Sequence, residues 1–310
     1  MRWQPTKRCL MMLLAISISA RPRDGAVTLS MTTTAGEDIG RAARSMVAAL
    51  NSSLVRVRRA VVDADPARPA DAAAVRAHGA ALDALVADGA LTDVARVDYS
   101  AAYTKGNASV FARLFGRPSG PARNRRGRGF LVYLFEIDVC TTPYLLHLDS
   151  DTRVWSRGSR DAVRDLVALV QRWPDVLGAA LPVHLGTANC TLDAARDREI
   201  LRRGPELDPR GFVDLRDLST QFYLLSLRKL HRALPLPYRR ANVEDAFSAL
   251  RSERALVVAA MIPHARPPAY FRGQGRRFSR DVAVVDAGDD VRCGGDWVGR
   301  RRAWRWHNGT

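Results

Sequence analysis

The sequence predicts an α/β fold, a single α/β/α domain around a mostly parallel central sheet, and three observations lead there. From residue 26 onward, short apolar runs alternate with stretches of helical periodicity, the pattern of parallel strands joined by crossover helices. Two of those runs, "VVDADP" and "LLHLDSD", stop on acidic residues, as strands do where they leave a sheet. With 310 residues and 47% hydrophobic content, the chain is long enough to bury a full core, which excludes disorder of the whole.

In order, "AVTLSMTT" (26–33) reads as a strand and "DIGRAARSMVAALNSS" as a helix. "VRRAVVDADP" (57–66) is a second strand ending on acids. An Ala-rich helix follows over 70–88, and "DVARVDYS" (93–100) is a short strand. "GFLVYLFEIDVCT" reads as a helix. The apolar run of "YLLHLDSDTRVW" (144–155) is a buried strand of four to six residues that exits at Asp149-Ser150-Asp151, and "SRDAVRDLVALVQRW" is an amphipathic helix. "VLGAALPVHLG" and "TQFYLLSLRKL" are further strands, the second passing into a helix, while 187–218 is a polar, charge-rich insertion. The basic segments 121–129 and 263–280 are rich in Gly, Pro and Arg and read as exposed loops. The second, with five arginines, suits either closure over a diphosphate or contact with an anionic membrane surface, a peripheral contact at most.

The net charge of +16 invites an anionic partner. Nucleic acid is not expected: no zinc-finger, RNP or basic-zipper pattern occurs, and only Lys7, Lys105 and Lys229 among the 48 basic residues are lysine, an Arg and Ala bias that GC-rich coding alone produces. At the N-terminus, Arg2, Lys7 and Arg8 precede "CLMMLLAISISA", which is too short to span a bilayer as a helix and has the form of a signal-peptide core. Asn51, Asn107, Asn189 and Asn308 head N-x-S/T sequons, four of the six asparagines, which together with the leader predicts a glycoprotein of the secretory pathway, in the Golgi lumen, over a cytoplasmic one. The expected division is a leader or signal peptide over 1–24, one domain over 25–290 and a basic tail over 291–310. Cys140, Cys190 and Cys293 have no metal-binding spacing and allow at most one disulfide.

In an open α/β sheet, ligands bind beyond the carboxyl ends of the strands, where both acidic motifs fall. A D-x-D triplet is also what a turn selects. Two residues apart on extended backbone, however, Asp149 and Asp151 point to the same side, an arrangement suited to a hard divalent cation whose remaining ligands are water and phosphate. In "NVEDAFSAL", if Asn242 caps the helix, Glu244 and Asp245 fall at its second and third positions, where the free N–H groups and the dipole favour acids without any catalytic role.

The succession "SMTTTAGEDIGRAARSMVAAL", "VVDADP", "GPARNRRGRGF", "YLLHLDSDT" and "NVEDAFSAL" resembles the GT-A-fold glycosyltransferases, closest to the family 2-like group, over residues 26 to about 265. The resemblance implies a Rossmann-like GT-A domain. It further implies metal-dependent transfer of a sugar, with inversion, from a nucleotide-diphosphate sugar, a UDP-sugar first, to a hydroxyl of a glycan, protein or lipid acceptor. It would place nucleotide binding on Thr32, Asp63, Asp65, Arg123 and Asn124. Mn²⁺ or Mg²⁺ would sit on Asp149 and Asp151, with His264 as a further metal ligand, and Asp245 would be the general base beside Glu244. The remaining histidines, His147 included, read as structural. The chain departs from the family pattern at "RRGRG", in the 187–218 insertion and in "STQFYLL", which lacks a glycine-rich acceptor segment. Two alternatives remain. A nucleotidyltransferase of related fold would carry a lysine-bearing glycine loop after the first strand, and "TTTAGEDIGR" has no lysine. A non-catalytic polyanion-binding protein would not need its carboxylates arranged around a metal.

Overall fold

The computed structural model describes residues 26–124, 127, 129–156, 161–180, 183–185, 213–214, 221–238, 242–254, 257–260 and 282–286. Along these residues run β1 (Val27–Thr33), α1 (Ile39–Ala49), β2 (Val55–Val62), α2 (Ala72–Ala87), β3 (Asp93–Arg96), α3 (Ala101–Thr104), α4 (Val110–Phe115) and α5 (Leu131–Val139). They continue with β4 (Tyr144–Asp149), β5 (Thr152–Ser156), α6 (Ala162–Arg172), β6 (Val176–Ala180), β7 (Val183–Leu185), β8 (Val213–Asp214), β9 (Phe222–Ser226), α7 (Leu227–Arg232), α8 (Val243–Arg254), β10 (Val257–Ala260) and β11 (Val282–Asp286). The insertion expected over 187–218 lies outside the described residues except for β8, as do the leader, the tail and the basic segment 263–280.

The main sheet has the order β3-β2-β1-β4-β9-β6-β10-β8. β1 pairs in parallel with β2 and β4, β2 with β3, and β6 with β10, whereas β9 lies antiparallel between β4 and β6, and β8 is antiparallel at the far edge. A smaller sheet, β5-β11-β7, receives the chain as it leaves β4. The stretch read as one strand, "VLGAALPVHLG", is therefore divided between two sheets. The strand expected over 93–100 stops at Arg96, because Asp98 accepts from the Ser100 amide and Ser100 caps α3 by accepting from Tyr103 N.

Helices cover both faces. One apolar layer joins α1, α2 and α6 to Leu29, Met31, Leu146, Leu148 and Leu224; the other joins α4, α5, α7 and α8 to Leu145, Leu177, Tyr223 and Leu225. Alternate residues of β4 and β9 thus enter opposite layers, as the pleat requires. β1 is different: Val27, Leu29 and Met31 are apolar on one face, but the opposite face, also buried, is Thr28, Ser30 and Thr32. Helix starts are set locally. Asp71 caps α2 through Ala73 N and Ala74 N, and Asp161 caps α6 through Arg164 N, each cap contributing about 1 kcal/mol.

At the other end of α6, Lys229 of α7 reaches across to donate to the carbonyls of Val170, Trp173 and Val176, at 2.6, 2.5 and 2.8 Å. These carbonyls lie at a helix end and a strand start, where Trp173 O also accepts from Val176 N, so a single ammonium fastens α6, β6 and α7 together. The six codirectional strands, the one reversed strand beside β4 and the helices on both faces make this a GT-A-like α/β/α fold. Replacing Lys229 with Met keeps the aliphatic stem and removes the donors. We expect it to lower the unfolding free energy by about 1–3 kcal/mol in a urea titration.

Candidate active site

The carboxyl ends of β1, β2 and β4 form one edge, and the sequence-predicted acids gather there in two groups. Asp149 is the last residue of β4 and lies on the same face of it as Leu145 and His147, toward α5. Its Oδ1 accepts from Thr32 Oγ1 at 2.9 Å, His147 Nε2 at 3.1 Å and Tyr133 OH at 3.2 Å. Its Oδ2 receives only a 3.4 Å contact from Tyr133 OH. One oxygen is saturated, then, and the other is open on a side chain that is 20% exposed.

Behind Asp149 the network continues inward. His147 Nδ1 donates to Glu136 Oε2 at 2.6 Å, and both side chains are within 1% of complete burial. Each ring nitrogen faces a carboxylate, so both donate and the ring is an imidazolium. Burial alone would depress its pKa; the Glu136 charge and the hydrogen bonds to Asp149 and Glu136 outweigh that and raise it to about 10. Tyr223 stacks on the ring at 4.6 Å between centroids. His147 was expected to be a structural residue of its strand; it instead bonds directly to Asp149.

Asp151 departs from expectation in a different way. It lies in the turn after β4, not on extended backbone, and is exposed. The turn is fastened by Ser150, whose amide donates to Thr32 O at 3.0 Å and whose hydroxyl donates to Glu37. Glu37 also accepts from Thr33 Oγ1, Thr34 N and Thr34 Oγ1, at 2.8 to 2.9 Å, tying the β1–α1 loop to the D-x-D turn. Only hard oxygen donors are offered here. Among the described residues no three His, Cys, Asp or Glu side chains gather to hold a metal by themselves, and His264 lies outside them. Such a donor set suits Mg²⁺ or Mn²⁺ bound mainly through one or two carboxylates, with water and phosphate completing the shell.

The second group surrounds a pocket of about 490 Å³ lined by Asp63, Asp65, Arg68, His78, Arg96 and Arg123. Asp65 accepts from Arg123 Nε at 2.5 Å and from the Ala67 amide at 2.8 Å, while Asp63 accepts from Tyr99 OH and lies 3.7 Å from Arg123 Nη2. Gly129 passes so close that a Cβ there would stand 3.3 Å from Asp63 Oδ2. His78 is buried against Thr33 Oγ1 at 3.2 Å, and burial lowers its pKa. Asp63, Asp65 and Arg123 are thus brought together in one pocket. Asn124 does not line this pocket; its carbonyl closes a turn with Gly127 N. Thr32 is also absent from it, being bound to Asp149.

α8 begins at the same edge, because it precedes a strand parallel to β1 and so runs against it. Asn242 Oδ1 accepts from the Glu244 amide at 3.1 Å, the cap expected from the sequence, and Asn242 Nδ2 contacts Glu244 Oε2 at 3.4 Å. Among the described residues, Asp245 has no hydrogen-bond or ion-pair partner. The Tyr223 phenol is held well above its ordinary pKa by burial and then by Glu136, Tyr133, Asp149 and Glu244, so the start of α8 lies within electrostatic reach of the Asp149 group. Sequence reasoning missed Glu37, Tyr133, Glu136 and Tyr223. The readable signals were a glutamate in the apolar helix "LVYLFEIDV" and a histidine in the apolar strand "YLLHLD".

No protein-family model matches the chain, and no curated protein does. Among solved structures, a mycobacterial protein overlaps at a TM-score of 0.40 and 15% identity over 76% of this chain, which spans 64% of that chain, under two thirds. Glucosyl-3-phosphoglycerate synthase from Mycobacterium tuberculosis, in complex with Mn²⁺, uridine diphosphate and phosphoglyceric acid, overlaps at 0.40 and 14% identity, over 76% of this chain and 67% of that one. CMP:2-keto-3-deoxy-manno-octonic acid synthetase complexed with CTP overlaps at 0.41 and 10% identity, over 82% and 99%. At these scores the overlaps add nothing to what the sheet order shows.

The Asp65–Arg123 pair gives a pH-dependent prediction. Burial raises the Asp65 pKa, but the Ala67 amide and Arg123 together bring it below the ordinary 3.8. A depressed carboxyl pKa adds stability that is full above the unfolded value and lost as pH falls through the folded one. Asp65→Asn should therefore cost about 1–3 kcal/mol at pH 7 and flatten the decline in stability below about pH 4, measured by urea unfolding at a series of pH values.

Proposed function

We propose that this protein is a metal-dependent glycosyltransferase that moves a sugar, with inversion, from a nucleotide-diphosphate sugar to an acceptor hydroxyl. The observation carrying this reading is the division of labour on Asp149: three donors occupy Oδ1 and leave Oδ2 open, on the sheet edge that also holds the Asp63–Arg123 pocket. The pocket suits a nucleoside, with Asp63 accepting from the base and Arg68, Arg96 and Arg123 supplying positive charge for the phosphates. Asp149 and Asp151, with His264, would hold Mn²⁺ or Mg²⁺, whose charge offsets that of the departing diphosphate.

In this reading Asp245 takes the proton of the acceptor hydroxyl as that oxygen bonds to the anomeric carbon. The bond from that carbon to the diphosphate oxygen breaks on the opposite face, and its electron pair leaves with the nucleotide. Asp245 suits the role because Glu244, not Asp245, is taken up by the Asn242 cap. The acceptor is a glycan, protein or lipid hydroxyl. We further place the chain in the secretory pathway, supported by the exposure of the two described sequon asparagines, Asn51 and Asn107.

A screen of nucleotide sugars for transfer or hydrolysis, with and without Mn²⁺, tests the activity. Turnover independent of any divalent ion would remove the metal role. With an active donor in hand, Asp245→Asn should stay folded, losing about 1 kcal/mol or less, bind donor normally and turn over roughly 10² to 10⁴-fold more slowly, whereas Glu244→Gln loses less. Near wild-type turnover in both would reduce the pair to a helix start. Asp151→Ala should abolish Mn²⁺-dependent UDP binding in calorimetry while its melting temperature stays near wild type.

A further inference from the structure

Behind the open Asp149 oxygen lies a buried polar row that the proposed chemistry does not use directly. Ser30, His147 and Tyr223 are cross-strand partners on β1, β4 and β9, all on the face covered by α5, and all are buried. Glu136 reaches this row from α5, one helical turn from Tyr133, so one helix face presents both a carboxylate to His147 and a hydroxyl to Asp149. Three atoms of the row, Ser30 Oγ, Glu136 Oε1 and Tyr223 OH, are buried without a hydrogen-bond partner among the described residues.

Such an arrangement is poor for stability. A buried ion pair rarely outweighs the desolvation of its members, and each orphaned polar atom adds to that cost. Apolar side chains at positions 136 and 147 would extend the surrounding cluster of Leu145, Tyr223 and Leu225. A costly group held in a fixed geometry calls for a purpose beyond packing.

We propose that Glu136 and His147 are positioning residues for the cation site: Glu136 locks the imidazole ring, and the ring's Nε2–H pins Oδ1 of Asp149 so that Oδ2 alone is presented outward. This rests on the metal-dependent reading above. Hydrogen-bonded partners behind a ligand carboxylate set its orientation, and their loss typically weakens metal binding 10- to 100-fold. Without the ring, Asp149 keeps Thr32 and Tyr133 but can rotate and share both oxygens between them.

The test is calorimetric and electron-paramagnetic titration of Mn²⁺ into the full chain with saturating UDP, alongside thermal unfolding. The double variant Glu136→Leu/His147→Leu should melt at or above the wild-type temperature yet bind Mn²⁺ 10- to 100-fold more weakly. Glu136→Gln keeps an acceptor oxygen for the ring but not the charge and should fall between the two. A purely structural pair predicts the reverse, a lower melting temperature with Mn²⁺ affinity unchanged in the folded fraction. Wild-type affinity in either the folded double variant or, should that fail to fold, in Glu136→Gln overturns the proposal. If the wild-type chain itself binds no Mn²⁺ with UDP, the metal-dependent reading fails and the positioning role with it.

Discussion

Asp149 stands where a buried strand leaves the sheet, and a carboxylate can occupy such a place only if donors replace the water it loses. Much of the central sheet is arranged around that requirement. β1 gives up apolar residues on one face so that Thr32 can reach Asp149, α5 contributes Tyr133 from above, and His147 arrives from the same strand two residues earlier. Supplying His147 then requires Glu136, and covering the ring requires Tyr223 from the one reversed inner strand. The reversed β9 is thus part of the support for this carboxylate as well as a topological signature.

The fold was largely legible because its strands are short apolar runs bounded by acids, and its longer helices have clear caps and periodicity. α3 and α4 were not legible: at four and six residues they are too short to show a period, and they exist because Ser100 and Ser109 cap them. Nor was the fate of 183–185 legible, since pairing with β11 depends on residues a hundred positions away. Asp63, Asp65, Asp149 and the α8 acids stood out in the sequence because each lies at or just past a strand end or at a helix start, a position that carries a local signature. Glu136, Tyr133 and Tyr223 lack one. Each sits inside an apolar element and acquires its role only when three strands and a helix are stacked, which a period in the sequence does not encode.

Two carboxylates, two residues apart and alike in type but not in task, illustrate the same limit. Asp63 and Asp65 looked interchangeable in "VVDADP". Asp65 is spent on holding Arg123 and the turn amide of Ala67, whereas Asp63 keeps a tyrosine partner and a longer, 3.7 Å approach to the guanidinium. Both line the pocket, Asp65 braced by a guanidinium and a turn amide and Asp63 by a phenol.

The reversal of β9 also governs where the chain can be varied. β6 ends, and β9 begins, on the edge that carries Asp149, because the two strands run in opposite directions side by side. The 41 positions from 181 to 221 therefore depart from that edge and return to it, and among the described residues they contribute the two-residue outermost strand to the main sheet. An excursion anchored this way can lengthen, shorten or change charge while the other seven strands of the main sheet keep their register. The pairing of β4, β9 and β6 does not depend on what lies between those two anchors, so a change there leaves Asp149 in place at the end of β4.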